Sequence, residues 1–304
     1  MSTTEFVDSG TISGGESLYD IKSLREEILL CKHIENARRT YVASGNTVDI
    51  SKRVETAFNN VLYLHFSFEG ERPLETSKFF DTIRENVPEN SIGKLKNALT
   101  KPLTLPNKSI LLVEELDKAS VFLGDDLITT CPASILSILK ERYNGVKKDQ
   151  NYYITRVILK YSIFGTIWSS DYFLAPSSEE REAYSLELFS TPFSAVTGEF
   201  CSLFPDVDVY FGSIGSFPYF GELPTDIVVS PPSIIQAAAA HYIIQRLAEY
   251  NHNVLFILAD QESETYSLLS TSNYLTDTRS IPLYNTFSGE LVLVKNAKAF
   301  LLSS

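Results

Sequence analysis

Ser230-Pro231-Pro232-Ser233 is the stretch of this chain whose residue types best suit chemistry. Ile227, Val228 and Val229 lead into it, the composition of a buried strand. Proline locks φ and carries no N–H, so two in succession form a stiff corner with carbonyls left free to accept. Ligands of open α/β sheets sit beyond the carboxyl ends of the strands. Fixed carbonyl and hydroxyl oxygens at such an end are suited to holding an exocyclic amine against a methyl donor. Positioning of that kind supplies much of the barrier reduction in a transfer. The same residues also fit a plain strand-to-helix turn, with Ser230 or Ser233 as a cap. None of the four histidines, His33, His65, His241 and His252, stands in a metal-ligand spacing with a cysteine or another histidine, so no metal is expected. His241 falls inside an alanine-rich helical segment and reads as a packed or capping residue, not a base.

The elements around that corner alternate. LELFSTP (186–192), DVDVYFGS (206–213), DIVVSPP (226–232), NVLFILAD (253–260), SIPLYN (280–285), ELVLVK (290–295) and AKAFLL (297–302) have strand composition. IIQAAAAHYIIQRLAEYN, between the third and fourth, has helical spacing. This alternation predicts a mostly parallel sheet, finished by an antiparallel hairpin turning at Lys295-Asn296-Ala297. Upstream the pattern is mainly helical. Leu18, Ile21, Leu24, Ile28, Leu29 and Ile34 share one face, and Val54, Phe58, Val61 and Leu62 continue in the next segment. KPLTLPNKSILLVEELDKASVFLGDD reads as a linker with a small strand pair; CPASILSILKERYNG and YYITRVILKYSIFGTIW read as helices. The first residues, rich in Ser, Thr and Gly and without the basic flank and apolar core of a signal peptide, read as a flexible tail.

Composition bounds the partners. The chain has 304 residues, 44% hydrophobic and 12% aromatic, enough for a sizeable core, and no apolar run long enough to span a membrane. Cys31, Cys131 and Cys201 are far apart and odd in number, which suggests reduced thiols in an intracellular setting, nucleus or cytoplasm. Residues 1–160 carry 21 Lys/Arg against 22 Asp/Glu, while residues 161–304 carry 5 against 16. A surface that grips phosphates needs clustered cations. Nucleic acid would therefore be met by the first half, where Arg38-Arg39, Lys52-Arg53, Lys94, Lys96, Lys101 and Lys147-Lys148 lie, or through a protein partner supplying basic surface.

The segment LELFSTPFSAVTGEFCSLFPDVDVYFGSIGSFPYFGELPTDIVVSPPSIIQ resembles the catalytic domain of the phosphorylated CTD-interacting factor family. Members are S-adenosylmethionine-dependent enzymes that methylate N6 of the cap-adjacent 2′-O-methyladenosine of mRNA. LFSTPF (188–193), EFCSLFPDVDVYFGSIG (199–215), DIVVSPPS and VLFILAD (254–260) carry the likeness, which covers roughly 155–304. The resemblance implies an α/β, Rossmann-like methyltransferase sheet at 151–304, after a flexible tail at 1–17 and a mainly helical accessory domain at 18–150. It implies catalytic roles for Ser230, Pro231, Pro232 and Ser233, in the place of the family's Asn-Pro-Pro-Phe. It places Ser190, Thr191, Pro192 and Ser194 at the methionine part of S-adenosylmethionine, and Gly212 and Gly215 at the cofactor side. Glu222 and Asp208 are candidates for the acid that bonds ribose hydroxyls, with Asp260 a further acidic strand end.

The chain departs from the pattern as a divergent member. Ser233 replaces an aromatic residue that stacks on the base, for which Tyr219, Phe220 or Trp168 are possible stand-ins. Ile214 stands where the family has arginine, Ser194 where it has asparagine, and no WW domain precedes the helical region. Two readings follow: an adenosine N6-methyltransferase acting on capped mRNA or a related nucleic acid, or a catalytically inactive subunit that keeps the fold for binding or scaffolding.

Overall fold

The computed structural model describes residues 2–6, 21–43, 58–64, 78–85, 89–101, 103–164, 173–174, 183–216, 223–232, 235–258, 263–285 and 292–304. Two compact units account for them: Met1–Leu136 with Val146–Trp168, and Ser137–Gly145 with Ser169–Ser304.

The first unit contains a four-stranded antiparallel sheet in sequence order: β1 (Ser2–Phe6), β2 (Ile110–Glu114), β3 (Lys118–Leu123) and β4 (Asp126–Pro132). Two expectations are corrected here. Part of the stretch read as a tail is β1, in register with β2 from Ser2↔Glu114 to Phe6↔Ile110. The Asn151 amide donates to Thr4 Oγ1 at 2.7 Å, which ties the strand to the helix that follows. The stretch read as a linker with a small strand pair leads into three strands, β2, β3 and β4, while most described residues of the unit remain helical. Its helices are α1 (Ile21–Val42), a helical run at 58–64, α2 (Lys78–Glu85), α3 (Glu89–Thr100) and α5 (Gln150–Ser162); α4 (Ala133–Arg142) lies mostly in the other unit. The apolar face of α1 (Leu24, Ile28, Ile34, Ala37) is buried, with α3 and α5 against it. Arg156 of α5 meets Glu27 of α1 at 2.8 Å, a pair of which both side chains are largely buried. Arg38, expected on a cationic surface, is buried. It donates to Glu35, to Asn59 and to the Ile163 carbonyl, and its guanidinium lies over the Phe58 ring. Lys52 and Arg53 lie outside the described residues.

The second unit is built on one eight-stranded sheet. Its strands are β5 (Phe173–Leu174), β6 (Leu186–Ser190), β7 (Glu199–Ser202), β8 (Ser213–Gly215), β9 (Asp226–Val229), β10 (Asn253–Leu258), β11 (Leu275–Asn285) and β12 (Val292–Ser303). The spatial order is β5-β11-β12-β10-β9-β6-β7-β8. β8, β7, β6, β9 and β10 are mutually parallel, and β12 runs antiparallel between β10 and β11. The parallel part of the sheet thus starts at the centre with β6, builds outward through β7 and β8, then returns to add β9 and β10 on the other side.

Strand alternation divides the core. Leu186 and Leu188, Ile227 and Val229, and Val254, Phe256 and Leu258 face α6 (Gln236–Glu249) and α7 (Glu264–Ser270). The buried residues of α6 on this face are Ala239, Ala240, Ile243 and Leu247, and the two alanines let the helix lie close to the strands. Val228, Leu255, Ile257, Ala297 and Ala299 form the opposite face and pack with Val196. Three sequence expectations differ from the observed elements. DVDVYFGS is a pair of short helical turns, Pro205–Asp208 and Val209–Phe211, followed by β8; proline opens the first turn, where its missing N–H costs nothing. EFCS, not recognised as a strand, is β7. No turn occurs at Lys295-Asn296-Ala297, because these residues pair in register with Leu283, Pro282 and Ile281; β12 runs on, and the hairpin is β11–β12.

Candidate active site

Where the order of a parallel sheet reverses, the connections leave in opposite directions and a crevice opens at the strands' carboxyl ends. Here the reversal lies between β6 and β9, which pair through Leu188↔Val229. The first strand runs directly into Ser190-Thr191-Pro192, the second into Ser230-Pro231-Pro232. Both stretches singled out in the sequence therefore sit side by side at the switch point.

The diproline corner is more committed than expected. Pro231 is buried, and Ser230 and Pro232 are half-buried. The Pro232 carbonyl accepts the Ile235 N–H at 3.0 Å, and the buried Gln236 amide reaches the Pro231 carbonyl at 3.5 Å. Those carbonyls are not free, because the chain needs them to start α6. Among the described residues, the oxygens of Ser230 remain as the acceptors of the corner. Ser233 and Glu222, together with Asp260, Tyr219, Phe220 and Trp168, lie outside the described residues.

Beside the corner, β6 ends irregularly. Phe189 has φ +65°, left-handed backbone that a non-glycine residue seldom adopts and that costs about 1–2 kcal/mol. The ladder with β7 breaks between Glu187 and Ser190. In a regular strand residues 187 and 190 point to opposite faces. The left-handed step instead places Phe189 with Leu188 on the α6 face and brings the Ser190 hydroxyl to Glu187, with which it hydrogen-bonds. Ser194 joins the group: its Oγ accepts the Thr191 N–H at 3.1 Å and lies 2.6 Å from Thr191 Oγ1 and 3.3 Å from Ser190 Oγ. The Ser194 N–H donates back to Thr191 Oγ1 at 3.1 Å. Pro192 is buried within this turn.

Residues 191–198 cross from the top of β6 to the bottom of β7 without a helix. Glu187 holds this crossover from beneath. The carboxylate is fully buried and accepts the Val196 N–H at 2.7 Å and the Thr197 N–H. Burial pushes its acid up to about 7, while the Val196 hydrogen bond and then the nearby Arg142 charge pull in the other direction. Arg142 donates to the carbonyls of Ala195 and Thr197, the latter at 3.0 Å, and its guanidinium lies over Phe200. The sequence reading passed over both residues. The signal was present in one of them: Glu187 interrupts the apolar run Leu186–Phe189, and a charge inside a buried strand needs a partner.

Further along the sheet, Ser202 is in register with Ser190 and bonds Ser213 at 2.9 Å; Ser213 also donates to the Gly215 carbonyl at 3.3 Å. Gly212 is left-handed, with φ +104°, and approaches the Gly198 carbonyl so closely that a Cβ would lie 2.5 Å from it. Close packing of the β7 and β8 connections accounts for that glycine. Gly215 has φ +151°, and Ile214 between them is exposed. Asp208 is fully buried in the turn Pro205–Asp208. His241 is exposed on the outer face of α6, correcting the expectation that it is packed or caps the helix; the buried face of α6 is taken by Ala239, Ala240 and Ile243. Among the described residues no three His, Cys, Asp or Glu come together, and no helix is long and apolar enough to cross a membrane.

Residues 179–287 match the family described as phosphorylated CTD interacting factor 1 WW domain. The matched stretch runs from ahead of β6 to the end of β11, contains both strand ends of the switch point, and covers less than half of the chain. It holds no tryptophan, the chain's one being Trp168, and five of its strands are parallel. No curated protein matches the chain. The second unit is an α/β unit whose match points to the phosphorylated CTD interacting factor family.

Proposed function

We propose that the second unit is an S-adenosylmethionine-dependent methyltransferase acting on N6 of adenosine in capped mRNA. One observation carries the reading: the Ser190-Thr191-Pro192 and Ser230-Pro231-Pro232 corners are neighbours at the reversal point of a β8-β7-β6-β9-β10-β12-β11 sheet, with β12 inserted antiparallel and the short β5 added antiparallel at the β11 edge. A Rossmann-like methyltransferase has a sheet of this kind. The family match over the same strands supports it.

The chemistry of the strand ends fits the donor. A phosphate-bearing cofactor calls for a helix N-terminus or cations at this place. Here β6 runs into a turn instead, and residues 188–194 and 229–232 contain neither Lys nor Arg. Hydroxyl and carbonyl groups suit a ligand with a cationic sulfonium and no phosphate. Ser190, Thr191, Pro192 and Ser194 would hold its amino-acid end, with Gly212, Gly215 and Glu222 towards its nucleoside. Bound S-adenosylmethionine supplies an activated methyl. Ser230 accepts an N–H of the target amine and so aims its lone pair, while Pro231 and Pro232 keep that acceptor in place; Ser233 is the remaining proposed catalytic residue of the stretch. Capped RNA would be met through cations of the first 160 residues, since residues 161–304 carry only 5 Lys/Arg. The family description also names a phosphorylated CTD; a phosphorylated peptide needs cations for the same reason, so that partner too belongs with the first 160 residues.

Calorimetric titration with S-adenosylmethionine, followed by transfer of labelled methyl to capped RNA beginning with 2′-O-methyladenosine, tests the reading. Saturable binding and transfer lost in Pro231→Ala are expected; neither binding nor transfer would refute it. The engaged carbonyls of Pro231 and Pro232 favour a second reading, an inactive subunit that keeps the fold for binding or scaffolding. Binding of the donor without transfer to any capped RNA is its signature.

A further inference from the structure

We propose that Glu187 is the positioning residue of this site: from beneath the sheet's carboxyl edge it fixes the Ser190–Thr197 crossover and thereby sets the hydroxyl cluster that receives the donor's amino-acid end. The inference rests on the donor reading above and assigns a residue that reading does not use. Three features of the backbone make it specific. The left-handed Phe189 is what turns Ser190 towards Glu187, so strand and carboxylate are built for one another. The N–H groups of Val196 and Thr197 point to the acid while the carbonyls of Ala195 and Thr197 accept from Arg142. The Ala195–Val196 peptide is therefore gripped on both edges, by Arg142 at its carbonyl and Glu187 at its N–H, and the next two peptides are each held on one edge. The hydroxyls of Ser190, Thr191 and Ser194 form one group, held by the Thr191 and Ser194 N–H groups and joined through Ser190 to Glu187.

A carboxylate is needed there because it offers acceptors alone. Glu187→Gln keeps the volume but replaces one acceptor oxygen by an amide that only donates, while the Val196 and Thr197 N–H groups both require acceptors. A double-mutant cycle on S-adenosylmethionine affinity with Glu187→Gln and Ser190→Ala is the test, with folding of each variant checked by circular dichroism. Each single change is expected to weaken binding roughly tenfold or more, and the double variant no further than the worse single, since Glu187 acts through Ser190. Additive losses would overturn the proposal. Amide hydrogen exchange of Val196 and Thr197 without donor separates this idea from the donor reading. If the wild-type chain binds no S-adenosylmethionine, the reading of the site falls. Faster exchange at those two amides in Glu187→Gln would still establish the positioning role, and unchanged exchange would end it.

Discussion

Gly212→Ala is the substitution whose cost can be worked most directly from the geometry. At φ +104° and ψ 5° an alanine lies outside its allowed regions, which costs about 1–2 kcal/mol. Its Cβ would stand 2.5 Å from the Gly198 carbonyl oxygen, where ordinary contact begins at 3.4 Å. Neither side yields easily, because both are backbone: Gly198 feeds β7, and the Gly212 carbonyl accepts the Phe200 N–H at 3.2 Å. Parting them adds roughly 1–3 kcal/mol of overpacking and about 1 kcal/mol for the weakened hydrogen bond. The expected loss, about 3–6 kcal/mol, is a large share of ordinary domain stability. Urea unfolding, read by circular dichroism and by amide exchange in β7 and β8, measures it. Gly198→Ala is the matched control. A Cβ there meets nothing within 4 Å, so a change within about 0.5 kcal/mol is expected although the two glycines touch. If Gly212→Ala unfolds within about 1 kcal/mol of wild type, the close approach does not constrain the β7–β8 connection and the reasoning is wrong.

Other outcomes follow from the same structure. Gly93, exposed inside α3 with open space around it, should become stabilising by about 1 kcal/mol on replacement by alanine, read as a raised urea midpoint. Arg156→Ala leaves Glu27 buried without this partner and should destabilise the first unit by about 3–5 kcal/mol, read by unfolding at neutral pH. Glu187 is raised from 4.5 to about 7, so the folded state holds a proton between those values that the unfolded state has released. Its contribution is therefore largest below pH 4.5 and is lost as pH rises towards 7, by about 3 kcal/mol. The stability difference between wild type and Glu187→Gln should shift by that amount across the window, and a constant difference would show that the carboxyl is not perturbed.

Much of this architecture was legible from residue patterns. β-branched runs before Pro231 and within 253–260, and the 3–4 spacing of Ala239, Ala240, Ile243 and Leu247, fix β9, β10 and α6 because each must bury one face. Strand ends were less legible. DVDVYFGS (206–213) looked extended by composition, but Pro205 just ahead of it opens two tight turns. β12 reads as two strands because Lys295-Asn296 resembles a turn, whereas pairing with β11 overrides that local preference. The serine–proline corners were recognisable by type. That Ser190 and Ser230 lie on neighbouring strands depends on β7 and β8 being added on one side and β9 on the other, which no local pattern encodes. Phe189 carried no signal at all, since a left-handed position is announced by glycine or asparagine, not by an aromatic residue.

The ladders shift register at several places, between Leu275 and Asp277, Leu283 and Tyr284, and Phe200 and Cys201, but among the described residues the left-handed non-glycine position is Phe189 in β6. β9 and β10 pair in register over Asp226–Val229 without a break. At the end of β6 a left-handed aromatic residue, a ladder break and a buried carboxylate occur within four consecutive residues, Glu187 to Ser190. Folding alone would be better served by an apolar residue at 187 and a regular strand, since a buried acid and a strained φ each cost stability. Sequences that otherwise agree with their fold depart from it where a site has to be shaped. The strain at β6 and the proline corner of β9 are on adjacent strands, at the reversal point beyond which ligands of open α/β sheets bind. Topology and backbone strain thus mark the same end of the unit independently, and neither depends on which donor or acceptor is bound there.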